Sequence, residues 1–221
     1  MNTKRILALA SGNAHKLQEF AEILAPAGWE VVSIRQWVPD LADPEETEPD
    51  FAGNARLKLE HAHGLLAASS VRPLPHALAA DDSGLSVGIL DGEPGVFSAR
   101  FAERSGNGTG DAGNRQELVR RMRLAGLVRG KTTAAAFVCA IAFLELESER
   151  LVEAIAECPG AVGQIEKGEG GFGYDSLFFP ILPNQKMSDR TFAQMTSDAK
   201  HGLSHRGLAL KKLADKLGEA T

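Results

Sequence analysis

The sequence predicts an α/β domain spanning residues 1–221 as a single unit: a mixed, twisted β-sheet with long central strands, flanked by helices. Three observations carry this. A short apolar run, Ile6 to Ala10, leads into a segment of helical periodicity. Thr132 to Glu147 is apolar on both alternating faces, as a strand covered from two sides must be. No internal repeat or low-complexity linker divides the chain.

The elements follow in order. Ile6–Ala10 ends at Ser11-Gly12-Asn13, a turn, and reads as a buried strand. Leu17, Phe20, Ala21 and Leu24 fall at i, i+3, i+4 and i+7 on one helix face, which Pro26 and Gly28 close. Glu30–Ile34 is a second strand and the acidic, proline-bearing stretch Pro39–Asp50 a loop. Ala55, Leu59, Ala62 and Leu66 mark a helix to about Ser69. Ala77–Ala80 reads as a strand that ends at Asp81-Asp82, and Arg104–Asn114 as a surface loop. Leu118, Met122 and Ala125 mark the next helix. Glu147-Ser148-Glu149 turns the long strand into Arg150–Glu157, an antiparallel hairpin. Gly160–Gly173 is a glycine-rich loop, and Leu210, Leu213, Ala214 and Leu217 form a last helix face.

Composition excludes several classes. With 24 Lys plus Arg against 29 Asp plus Glu, the formal charge of −5 gives no general attraction to nucleic acid. Cys139 and Cys158 form neither a zinc pattern nor a disulfide framework, which fits a reducing cytoplasm. The apolar run after Lys4-Arg5 is shorter than the roughly 7 to 15 residues of a secretion signal. Nothing approaches the roughly 18 apolar residues of a membrane span.

The most informative physical clue is electrostatic. Lys16 follows the expected N-cap Asn13, and Arg206 follows the expected N-cap Ser204, so each places a cation at the positive end of a helix dipole. An anion held at those helix starts would reconcile both. Glu45 to Glu48 and Asp81-Asp82 supply carboxylates, and Mg²⁺, which takes one or two carboxylates plus water and phosphate oxygens, is their natural partner. Other patterns fail on context. Gly126–Thr132 is one residue short of a P-loop and runs from helix to strand, the wrong order. His61 and His63 point to different helix faces, and no serine sits in a nucleophile elbow.

Longer motifs now add up. They are Ser11-Gly12-Asn13-Ala14-His15-Lys16, Glu46-Thr47 ahead of Phe51 and Asn54-Ala55, and Ala80-Asp81-Asp82-Ser83-Gly84-Leu85. Pro94-Gly95 with Ser98-Ala99-Arg100, Gly170 to Asp175, Thr191-Phe192-Ala193, Lys200 and Ser204-His205-Arg206 complete the set. Spread over nearly the whole chain, they resemble the inosine triphosphate pyrophosphatases. The resemblance implies an ITPase-like fold and Mg²⁺-dependent hydrolysis of ITP, dITP and XTP to the monophosphate and pyrophosphate, by a homodimer. It implies that Ser11, Gly12, Asn13, Ala14, His15 and Lys16 hold the triphosphate and that Glu46 and Asp82 bind the metal. Asp82 also activates water, and Ser83 touches the nucleotide. Phe172, Gly173, Tyr174, Asp175, Lys200, His205 and Arg206 are implied as the base pocket. Lys16 neutralises phosphate charge in the transition state. This sequence departs from the family at Glu48 (often Gly), Gly53 (often acidic), Ser176 (often Pro) and Gln194 (usually Glu). Two other readings stand beside it: a nucleotide-binding regulatory module without turnover, and a pyrophosphatase for modified pyrimidine nucleotides.

Overall fold

The computed structural model describes residues 5–218. Six strands, β1 (Arg5–Leu9), β2 (Trp29–Ser33), β3 (Ala77–Val87), β4 (Thr133–Glu145), β5 (Arg150–Val162) and β6 (Phe178–Pro180), form one sheet in the order β2-β1-β3-β4-β5-β6. β1 pairs in parallel with β2 and β3, whereas β5 and β6 are antiparallel, so the sheet is mixed. The helices are α1 (Ala14–Leu24), α2 (Phe51–Ala68), α3 (Phe101–Arg104), α4 (Gly110–Leu124), α5 (Ser197–His201) and α6 (His205–Gly218). None among the described residues is long and apolar enough to cross a membrane.

The chain groups into two compact units. Among the described residues, the first takes 5–82, 139–156 and 206–218; the second takes 83–138 and 157–205. Strands β3, β4 and β5 each carry residues of both.

In the first unit, side-chain alternation along the strands feeds two separate cores. Leu7, Leu9, Ala77, Ala79, Cys139 and Ile141 meet Phe20 and Leu24 of α1 and Leu210 and Leu213 of α6. Ala8, Ala10, Leu78, Ala80, Ala140 and Ala142 meet Ala55, Leu59, Ala62 and Leu66 of α2. Each fully buried Phe or Leu stabilises by about 1.5–3 kcal/mol, so each helix is fixed to its own face of the sheet.

Four expectations need correction. β3 does not end at Asp81-Asp82: it runs eleven residues, through both aspartates to Val87. Sequence patterning stopped it because carboxylates are poor strand formers, but cations on both faces neutralise these two. β5 likewise continues past Glu157 to Val162, which places Gly160 in a strand rather than a loop. A Cβ at Gly160 would lie 2.3 Å from the Phe179 carbonyl oxygen, so glycine is what lets β6 approach. The expected surface loop Arg104–Asn114 is shortened by α3 and by α4, which already starts at Gly110. β6 and α5, with three and five residues, are too short for periodicity to reveal.

The second unit has its own core around Phe101, Leu118, Met122, Phe137, Phe178 and Phe192. At its edge, Glu117 of α4 is buried and ionised. Arg120 and Arg121 bind its carboxylate at 2.7 and 2.9 Å, and the Asn107 amide donates to it at 2.9 Å. The Arg120 hydrogen bond, against the opposing effect of burial and with help from Arg121, holds this carboxyl at about 2 against an ordinary 4.5. Its stabilisation is therefore complete above pH 4.5 and is lost as the pH falls toward 2. We expect Glu117→Gln to cost about 1–2 kcal/mol at pH 7, a modest figure because both arginines are partly exposed. In urea unfolding the deficit should shrink at pH 3; a deficit independent of pH would refute this account.

Candidate active site

Asp81 and Asp82 are adjacent in β3, and a strand turns adjacent side chains to opposite faces. Asp81 joins the face of α1 and α6. Its carboxylate meets the Lys16 ammonium at 3.0 Å and the Arg206 guanidinium at 3.2 Å, and Arg206 also ion-pairs with Glu19 of α1. Asp82 joins the face of α2, where Lys58 donates to its Oδ1 at 2.7 Å and meets Glu46 Oε1 at 2.5 Å. The acidic pair is thus two separate sites, one on each side of the sheet.

This geometry answers the electrostatic clue. Asn13 is the N-cap of α1, accepting from the amides of His15 and Lys16 at 2.9 and 3.3 Å. The anion facing the cations of both helix starts is, in this structure, Asp81. Burial alone would raise the Asp81 carboxyl, but Lys16 and Arg206 bring it down to about 2. Arg206 is 1% exposed and enclosed by carboxylates, an ion-paired core residue rather than a surface anion hook. Lys16, 16% exposed, is anchored by Asp81 yet still reaches solvent.

On the other face, burial raises the Asp82 carboxyl despite the Lys58 ammonium beside it. Burial would lower Lys58, but the Asp82 and Glu46 carboxylates outweigh it and raise its affinity for the proton. Lys58 was missed in the sequence. Its signal was its place on α2, one turn after Asn54 and beside the apolar positions Ala55, Leu59 and Ala62. Asn54 itself is buried and grips the Glu48 backbone at both N–H and C=O, 3.1 and 3.2 Å, so α2 positions both Lys58 and the loop carrying Glu46.

The second unit gathers another set. Lys200 donates to Asp175 Oδ2 at 2.8 Å and lies 4.8 Å from the Phe172 ring centre, and the same Asp175 oxygen accepts the Phe172 amide at 2.9 Å. Gly171 must be glycine here: at φ +73, its Cβ would sit 2.1 Å from that oxygen. The His205 ring stacks on Phe137 at 4.7 Å. Tyr174 is buried, its hydroxyl donating to the Ser98 carbonyl at 2.8 Å. Phe172 and Gly173 are half-buried, as is Ser83.

The Ham1 family profile matches residues 7–216. The chain belongs to the Ham1 family. Curated relatives include the dITP/XTP pyrophosphatase of Mannheimia succiniciproducens, 43% identical over 97% of this chain and 99% of its own length. That of Haemophilus influenzae is 40% identical over 97% and 100%. Among solved structures, a HAM1 protein from Coxiella burnetii superposes with a TM-score of 0.76 at 31% identity, covering 97% of this chain and 99% of its own. A nucleoside-triphosphatase, dITP/XTP pyrophosphatase, from Mycobacterium abscessus gives 0.66 at 33% identity, covering 94% and 98%.

Within this Ham1 chain the departures from the family pattern have local explanations. A Cβ at Gly53 would stand 2.7 Å from Glu48 Cβ, so Glu48 and Gly53 are reciprocal: one side chain occupies the space the other gives up. Gln194 completes a capping box with Thr191, a task Gln and Glu perform alike. Ser176 donates to Glu166 at 2.9 Å, which proline cannot do. Both cysteines are free, and burial pushes each thiol up to about 12, so neither is a thiolate nucleophile at neutral pH.

Among the described residues no cluster of three or more His, Cys, Asp or Glu is arranged to hold a metal. The donor set nevertheless fits Mg²⁺. Glu46 and Asp82 converge on a single cationic position, now taken by Lys58, and Asp82 Oδ2 is buried with no hydrogen-bond partner among the described residues. Two carboxylates leave the remaining positions of an octahedral ion to water and phosphate oxygens, its preferred arrangement.

Proposed function

We propose that this chain, acting as one domain over residues 1–221, is a Mg²⁺-dependent pyrophosphatase for ITP, dITP and XTP. The observation that supports it most directly is the Glu46–Lys58–Asp82 constellation, in which two carboxylates share one cation beside an unsatisfied carboxylate oxygen. The curated relatives are named dITP/XTP pyrophosphatases, which supports two of these substrates.

In this reading Asp82 Oδ2 takes a proton from water, the water oxygen bonds to phosphorus, and the bridge between the α-phosphate and the leaving pyrophosphate breaks. The balance is one triphosphate and one water giving monophosphate and pyrophosphate. Glu46 and Asp82 would hold Mg²⁺, which when bound would supply positive charge to the phosphate oxygens. Lys58, displaced from between the carboxylates, and Lys16, steadied by Asp81, offset charge on the triphosphate. Gly12 and Ala14 offer backbone N–H groups around the start of α1, while the Asn13 N–H is taken by Ser11 Oγ at 3.1 Å.

In the second unit Phe172 offers a face to the purine, and Lys200 and His205 offer donors to its 6-keto oxygen. Adenine presents an amino group there, which leaves those donors unpaired. The homodimer and the cytoplasmic setting belong to the same proposal, the second supported by the two unpaired, buried thiols.

The test offers ITP, XTP, dITP, ATP and GTP with Mg²⁺ and quantifies pyrophosphate. We expect turnover of the first three to exceed that of ATP by at least about 10²-fold in kcat/KM. Equal turnover of all five would remove the specificity; orthophosphate alone would remove the reaction; binding without turnover would leave a regulatory module.

A further inference from the structure

The loop Phe172–Ser176 is held from outside as well as from within. Gly173 has φ +59. Its N–H donates to Asp111 Oδ2 at 2.6 Å, and its carbonyl accepts from Arg115 Nη1 at 3.0 Å. Asp111 and Arg115 are four residues apart on α4, hence on one helix face, so both polar groups of a single peptide residue are read by one turn of helix.

A second contact fixes the arginine. Its Nε donates to Glu166 Oε2 at 2.8 Å, and that oxygen also accepts the Ser176 hydroxyl at 2.9 Å. Ser176, where proline is common in the family, thus ties the far end of the same loop to the same arginine. Asp175 and Lys200 hold the loop internally, and Phe172, whose ring lies beside the Lys200 ammonium, is half-buried together with Gly173.

From this arrangement, and resting on the assignment of Phe172 and Lys200 to the purine base, we infer that Asp111 and Arg115 are positioning residues for base selection. They set the height and tilt of the Phe172 ring and the Lys200 ammonium by gripping Gly173 and touch no part of the nucleotide themselves. A half-buried loop with a glycine in the left-handed region has many accessible conformations, and two charge-assisted bonds to one residue remove most of them. The consequence falls on binding and discrimination, not on the proton transfer at Asp82.

The test compares Arg115→Ala, Arg115→Lys, Asp111→Ala and Asp111→Asn in the full chain, with kcat and KM measured for ITP, XTP and ATP. We expect Arg115→Ala and Asp111→Ala each to raise KM for ITP and XTP by about tenfold, the worth of one charge-assisted bond. Changes in kcat should stay within about twofold, and the preference for ITP over ATP should narrow. Arg115→Lys, which still donates to a carbonyl, should recover part of the KM, as should Asp111→Asn, which still accepts. Unchanged KM in both alanine variants overturns the inference, as does a parallel fall of kcat and thermal midpoint with the ITP/ATP preference intact. Phe172→Ala separates the two layers. If it raises KM for ITP while the α4 variants do not, only the positioning role fails. If it leaves KM unchanged, the base assignment fails and the positioning role falls with it.

Discussion

Asp82→Asn is expected to lower turnover of ITP by on the order of 10²–10⁴-fold, the usual contribution of a positioned general base. The substitution is close to isosteric. The amide oxygen still accepts from Lys58, so the contact that places the side chain at 2.7 Å survives. What is lost is the basic oxygen, Oδ2, which is buried and accepts no hydrogen bond from the described residues. Replacing a buried carboxylate whose pKa burial raises by a neutral amide removes a desolvation cost, so the unfolding transition should be retained or slightly raised. Asp81→Asn is the informative companion. It lies on the opposite face of the sheet with Lys16 and Arg206, so it should reduce stability and loosen Lys16 while leaving a working base. If Asp82→Asn retains full activity, the base lies elsewhere. If the two variants lose kcat equally with unaltered stability, the division into two faces is wrong.

Removing Arg206 should give the largest loss of stability in the first unit, roughly 3–5 kcal/mol for Arg206→Ala, the cost of breaking a buried ion pair from one side. For a chain of this size that corresponds to a fall in Tm of roughly 6–20 °C. The guanidinium is enclosed, meeting Asp81 through Nε and Nη2 at 3.2 Å and Glu19 through Nη1. Burial opposes its charge, and the Asp81 and Glu19 carboxylates overcome that and raise its affinity for the proton. Without it, two carboxylates remain in a region built for a cation. The sequence reading places Arg206 in the base pocket by resemblance, and a KM effect for ITP measured beside the Tm tests that role separately. Combining Arg206→Met with Glu19→Gln should restore much of the Tm, since Asp81 then keeps Lys16 as its counter-ion and the network is again neutral. A Tm within about 2 °C of wild type for Arg206→Ala would contradict the buried network.

Much of the architecture was legible in one dimension. The face of α1, the two apolar faces of β4, the caps around Asn13 and the helix of Ala55, Leu59, Ala62 and Leu66 are local patterns of 3.6 or 2 residues, and such patterns survive without knowledge of the fold. The family resemblance was equally legible, because its motifs are short, ordered and spread over nearly the whole chain. Elements that depend on partners distant in sequence were not. β3 continues through two aspartates only because Lys16 and Arg206 come from one side and Lys58 from the other. Gly160 belongs to a strand only because Phe179 lies against it.

The sequence by itself determined the α/β class, the mixed sheet, the family and the identity of the acidic and basic residues near the chemistry. Tertiary structure alone decided which charge answers which. Two adjacent aspartates read as a pair in the chain, but a strand points them apart, and the helices packed on each face deliver different cations to each. Charge is fixed by the sequence, whereas charge pairing depends on distances of about 3 Å between residues as far apart as Asp81 and Arg206, and only the folded sheet sets those distances.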